Sequence, residues 1–91
     1  MKDVILIVED EVNIRANIAE FLKAEDFDIL LAKDGEEAIA IFDEKKPDMV
    51  ILDLMLPKVD GLEVCKHIRR DSDTPVIMVT ARDEEIDKLL G

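Results

Sequence analysis

The chain is short of cysteine, of glycine and of positive charge, and each shortage removes a class of function. Its single cysteine, Cys65, excludes an internal disulfide. That residue falls on an apolar helical stripe and reads as a plain core position. Three glycines form neither a GxGxxG nor a GxxxxGK run, so the common phosphate-cradling nucleotide loops are missing. Twelve Lys and Arg stand against 23 Asp and Glu, a formal net charge of -11. Phosphate backbones bind through basic patches and counterion release, which disfavours direct contact with nucleic acid. A metal ion, or a protein surface bearing Lys and Arg, suits this charge better. No apolar run exceeds five residues, far short of the ~20 that a bilayer span requires. The N-terminus lacks the pattern of a signal peptide, so no membrane contact is expected and the cytoplasm is the expected compartment.

What remains is a folded chain of 91 residues, 48% hydrophobic and 38% charged, which is one domain rather than a disordered segment. A chain of this length buries roughly 60 to 65% of its unfolded surface, so the core is modest. Its hydrophobic periods alternate. Val4 to Val8 is a continuous apolar run, the mark of a strand covered on both faces. Ile14, Ile18, Phe21 and Leu22 then recur at helical spacing, and that helix is expected to end near Glu25. Ile29 to Ala32 reads as a second strand. Asp34, with Glu37 three residues on, forms a capping-box pattern ahead of Ala38, Ile41 and Phe42. Lys45, Lys46 and Pro47 close that helix, the lysines suiting the negative end of its dipole. Met49 to Leu52 is the third strand. Leu62, Cys65 and Ile68 give the third helix an inner face, and Val76 to Val79 follows Pro75 as a fourth strand. Asp83 is placed to cap a last helix with Ile86, Leu89 and Leu90 inward.

Four strand-then-helix units imply a doubly wound α/β fold, a parallel sheet with right-handed crossovers and helices on both faces. Ligands of such sheets bind beyond the C-terminal ends of the strands, where the strand order reverses. Glu9 and Asp10 follow the first strand, Asp53 ends the third and Thr80 ends the fourth. If strands one and three are neighbours, three carboxylates meet. Like charges about 4 Å apart repel by about 1 kcal/mol in water and about 4 at the effective dielectric of a protein surface, so the cluster invites a divalent cation or a raised pKa. Asp53 is expected at an exposed strand end.

Three segments carry a family resemblance: VEDE at Val8 to Glu11, DLMLPKVDG at Asp53 to Gly61, and VTAR at Val79 to Arg82. In these the chain resembles the receiver domain of bacterial response regulators, most of all the OmpR/PhoB-like subfamily. The resemblance implies a flavodoxin-like sheet with strand order 2-1-3-4 over the four strands present. It implies Asp53 as phospho-acceptor, taking its phosphoryl group from a phosphohistidine of a sensor histidine kinase. Glu9, Asp10 and Asp53, with the main-chain carbonyl of Met55, are implied as Mg²⁺ ligands. Thr80 is implied to hydrogen-bond the phosphoryl group, and small Ala81 to leave the entrance open. The chemistry agrees with those roles. Magnesium takes oxygen ligands and keeps several waters, whereas zinc would want Cys65 or His67 near the acids. Phosphoryl transfer needs in-line geometry and neutralised charge more than covalent help. Pro57 and Gly61 are expected to shape the loop after Asp53, Pro57 by its fixed φ and Gly61 by a positive one.

Blander readings compete. Asp10 alone is as well placed to cap the following helix as to hold a metal. Thr80 alone reads as a β-branched strand residue. His67, near a helix C-terminus, suits the dipole rather than phosphate carriage, and Lys66 to Arg70 form a solvated helix end. An aspartyl-phosphate phosphatase on a related sheet would want an Asp two residues after the nucleophile, where this chain has Met55.

Receivers of this kind continue through the rest of a fourth helix, a fifth strand ending in a Lys that contacts the phosphoryl group, and a fifth helix. This chain ends at Gly91, and Lys88 lies on the expected fourth helix. The resemblance therefore implies a truncated receiver over residues 1–91, lacking the fifth strand and helix. Strand four would be an exposed edge, through which a homodimer is expected to form. The function expected is a phosphorylatable switch rather than a conventional enzyme. The alternative is a self-associating assembly fragment, inert in signalling.

Overall fold

The structure, a computed structural model, describes residues 3–53 and 61–79. In chain order these form β1 (Val4–Val8), α1 (Val12–Ala24), β2 (Asp28–Ala32), α2 (Gly35–Lys45), β3 (Met49–Asp53), α3 (Gly61–Asp71) and β4 (Val76–Val79). The strands make one parallel sheet in the order β2-β1-β3-β4, with helices on both faces, as expected for a doubly wound chain.

Alternation along the strands sorts the core into two layers. Leu6, Val8, Ala32, Val50 and Leu52 pack with Ala38 and Phe42 of α2 and with Val64 and Ile68 of α3. Ile5 and Ile7 face the other way, against Ala19 of α1, with Ile18, Leu22, Met49 and Ile51 around them. Ile5 to Val8 are each 2% exposed or less, so the uninterrupted apolar run is indeed covered on both faces.

Local chemistry sets the helix ends. Glu11, not Asp10, caps α1, its carboxylate accepting the Asn13 N–H at 3.1 Å. Asp34 caps α2 by accepting the Glu37 N–H at 2.8 Å, while the Glu37 side chain reaches back one residue further, to the Lys33 N–H at 3.2 Å. Lys46 closes α2 in the left-handed region (φ 50), its N–H donating to the Phe42 carbonyl. Asp26, with φ 72, makes the matching turn after α1. Aspartate tolerates that conformation better than most side chains.

Three expectations are corrected. Leu62 is 58% exposed, and Val64 and Ile68, both fully buried, form the inner face of α3, with Cys65 half-buried beside them. Six residues turn a helix to about 120° short of two full turns, so Leu62 and Ile68 cannot share a face. Phe21 is 67% exposed because the inward direction of α1 is set by Ala19, Ile18 and Leu22. Gly61 is the buried first residue of α3, so its backbone is helical and no positive φ is needed there.

Candidate functional site

β1 and β3 are parallel neighbours with Val8 opposite Leu52. The next residues along, Glu9 and Asp53, therefore leave the same rim of the sheet one strand spacing, about 4.8 Å, apart. Asp10 follows Glu9. One carboxylate oxygen from each of Glu9, Asp10 and Asp53 lies within 4.8 Å of the others. The sheet thus brings together the three acids that the sequence places at strand ends. Asp53 is 4% exposed, which corrects the expectation of an exposed end: β3 is an inner strand, and Val79 of β4 still flanks Asp53 on the far side. Glu9 is 2% exposed, and Asp10 faces solvent.

Glu9 is restrained along its whole length. Its N–H donates to the Ala32 carbonyl at 3.1 Å, its carboxylate accepts the Glu11 N–H at 3.0 Å, and its carbonyl accepts from Arg15 Nη1 at 2.9 Å. Burial pushes the Glu9 carboxyl from its ordinary 4.5 up to about 7, against the Glu11 N–H, which favours the ionised form. The Asp53 charge and hydrogen bonding with Asp10 and Asp53 contribute, after burial, to that same rise. A buried carboxyl that holds its proton, with a second carboxylate beside it, is one whose ionised form a cation would stabilise. Three oxygen donors of this kind fit Mg²⁺: at metal–oxygen distances of about 2.0–2.1 Å, ligand oxygens stand roughly 3 to 4 Å apart, within reach of small side-chain rotations here.

On the α1 side Glu9 also borders an apolar groove of about 530 Å³, walled by Ile14, Ile18, Phe21, Leu22, Ile51 and Val79. The groove is not legible in the sequence, because helical spacing puts Phe21 on the core face. Neither is the Arg15 contact, for which no spacing rule exists. His67, expected as a dipole partner, bridges α3 to α2 with its Nε2 2.8 Å from Asp43 Oδ1. Met55, Thr80 and Ala81, and the last helix expected from Asp83, lie outside the described residues.

Comparison with known proteins gives a family and a fold. The family model described as "Response regulator receiver domain" matches residues 5–90. The chain is similar to the BeF3-activated N-terminal receiver domain of RstA from Klebsiella pneumoniae, with 32% identity and a TM-score of 0.84 over 97% of this chain and 75% of that one. It is similar to the response regulator TrrA from Thermotoga maritima, solved with Mg²⁺ and BeF, at 30% identity and a TM-score of 0.76 over 99% of this chain and 96% of that one. The non-phosphorylated HemR receiver domain from Leptospira biflexa matches at 28% identity and a TM-score of 0.80, over 99% and 73% of the two chains.

Proposed function

Because the chain belongs to the response regulator receiver domain family, we propose that it is the phosphoryl-accepting switch of a two-component phosphorelay, charged on Asp53 by a sensor histidine kinase with Mg²⁺. The observation that carries this reading is the convergence of Glu9, Asp10 and Asp53 within 4.8 Å at the rim of the sheet. A carboxylate oxygen of Asp53 attacks phosphorus; the P–O bond forms as the P–N bond to the donor imidazole breaks, and the leaving nitrogen takes a proton. Glu9 and Asp10, with Asp53, are assigned as the cation's carboxylate ligands. When bound, Mg²⁺ supplies neutralising charge for the phosphoryl oxygens. The main-chain carbonyl of Met55 is assigned as a further ligand, Thr80 as the phosphoryl hydrogen-bond donor and Ala81 as the small residue at the entrance, on the motifs alone.

The chain acts as a switch rather than a conventional enzyme, and the DLMLPKVDG segment assigns it to the OmpR/PhoB-like subfamily. The apolar groove beside Glu9 offers the kinase a surface next to the acceptor. A second partner is another copy of the chain: β4 is the sheet edge among the described residues, and its Ile77 is 46% exposed, which supports pairing through strand four.

A native mass spectrum after incubation with Mg²⁺ and a small phosphoryl donor tests the reading. A single phosphoryl increment on the parent chain, missing from Asp53→Asn, is the expected result. An increment on both, or on neither while both stay folded, overturns the assignment of Asp53.

A further inference from the structure

Arg15 lies outside the three segments that carry the family resemblance, yet it touches the acidic rim. Its Nη1 donates to the main-chain carbonyl of Glu9 at 2.9 Å. That carbonyl belongs to the peptide joining Glu9 to Asp10. A peptide unit is a rigid plane, so holding its C=O direction also holds the Asp10 N–H, and with them ψ of Glu9 and φ of Asp10. Those two torsions decide how the two carboxylates stand relative to each other. Glu9 turns into the protein and is 2% exposed, while Asp10 turns out. The strand side of Glu9 is already tied by its N–H to Ala32, and its carboxylate by the Glu11 N–H. Arg15 adds the tie at the peptide between the acids, reaching it from the first turn of α1.

We propose that Arg15 is a positioning residue that sets the Glu9–Asp10 peptide so that both carboxylates converge on one divalent cation. The inference rests on the metal-site reading above. Charge and geometry make opposite demands on this residue, which makes it testable. A guanidinium acting only through its charge would repel a cation bound nearby, and neutralising it would tighten metal binding. A guanidinium that orients the ligands would, when removed, loosen it. Outer-shell partners of metal ligands typically change affinity by about 10- to 100-fold when lost.

The experiment is Mn²⁺ binding to the full chain, read by electron paramagnetic resonance of the free ion, for the parent, Arg15→Met and Arg15→Lys. Amide NMR spectra of the three metal-free proteins are recorded alongside. The expected result is an affinity about tenfold weaker in Arg15→Met, part of it recovered in Arg15→Lys, which keeps a donor. The Asp10 and Glu11 amide resonances should move in the metal-free Arg15→Met protein. Affinity unchanged or tighter in a folded Arg15→Met protein overturns the proposal. Should Arg15→Met not fold, Arg15→Lys decides: it must bind more weakly than the parent, and equal or tighter binding overturns the proposal. If the parent binds no Mn²⁺, the metal-site reading is what fails. The metal-free spectra then decide the positioning role: moved Asp10 and Glu11 amides uphold it, and unmoved ones overturn it.

Discussion

Val8 and Leu52 face each other across the parallel β1–β3 pair, and this one register puts Glu9 and Asp53 side by side at the rim. The register is fixed by apolar residues, not by the acids. Val8, Val50 and Leu52 pack toward α2 and α3, while Ile5, Ile7 and Ile51 pack toward α1. A slip of one residue would turn every side chain of a strand to the wrong face and offset the two acids by about 3.3 Å. The hydrophobic core thereby builds the acidic site.

Asp53→Asn should keep the fold and gain stability near neutral pH. Its charge is one of the pushes on the buried Glu9 carboxyl, so removing it relieves repulsion that the native state alone carries. A thermal melt at about pH 8 should show a higher midpoint than the parent. A variant that unfolds would contradict the repulsive character of the cluster.

Glu9 gives stability a definite pH dependence. Folded, it ionises near about 7; unfolded, near its ordinary 4.5. Between those values the native chain holds the extra proton, so stability falls as pH rises from about 4.5 and the loss is complete above about 7. Denaturant melts from about pH 5 to pH 8 should show this decline, and Glu9→Gln should flatten it. Mg²⁺ affinity should move the opposite way, rising with pH up to about 7, because the ligand is the ionised carboxylate.

The two faces of α3 should respond differently to truncation. Ile68 is fully buried and Leu62 is 58% exposed. Ile68→Ala is expected to cost about 2–5 kcal/mol, and Leu62→Ala about 0.5 kcal/mol or less. Equal losses in urea unfolding would contradict the outward placement of Leu62.

Self-association through strand four predicts a concentration-dependent sedimentation coefficient. Ile77→Lys places a charge on the exposed edge and should shift the chain to monomer. A parent that sediments as a monomer across the whole concentration range would rule the homodimer out.

Among the described residues, the sequence by itself determined the elements and their order. The Val4–Val8 run and the Asp34–Glu37 pair are local signals, carried by neighbours along the chain, and they act before any tertiary contact forms. The placement of Glu9, Asp10 and Asp53 at strand ends was legible for the same reason. Only the tertiary structure decided which side of each helix faces in. In α3 that depends on what α2 and the sheet present, so Val64 took the place expected of Leu62. It also decided that Asp53 is buried, because an inner strand is flanked on both sides whatever its own sequence. Arg15 meeting the Glu9 carbonyl, and His67 meeting Asp43 across 24 residues of chain, are decided there too. Strand and helix periods are properties of the chain, whereas a contact between distant side chains exists only once register and packing have set the distance between them.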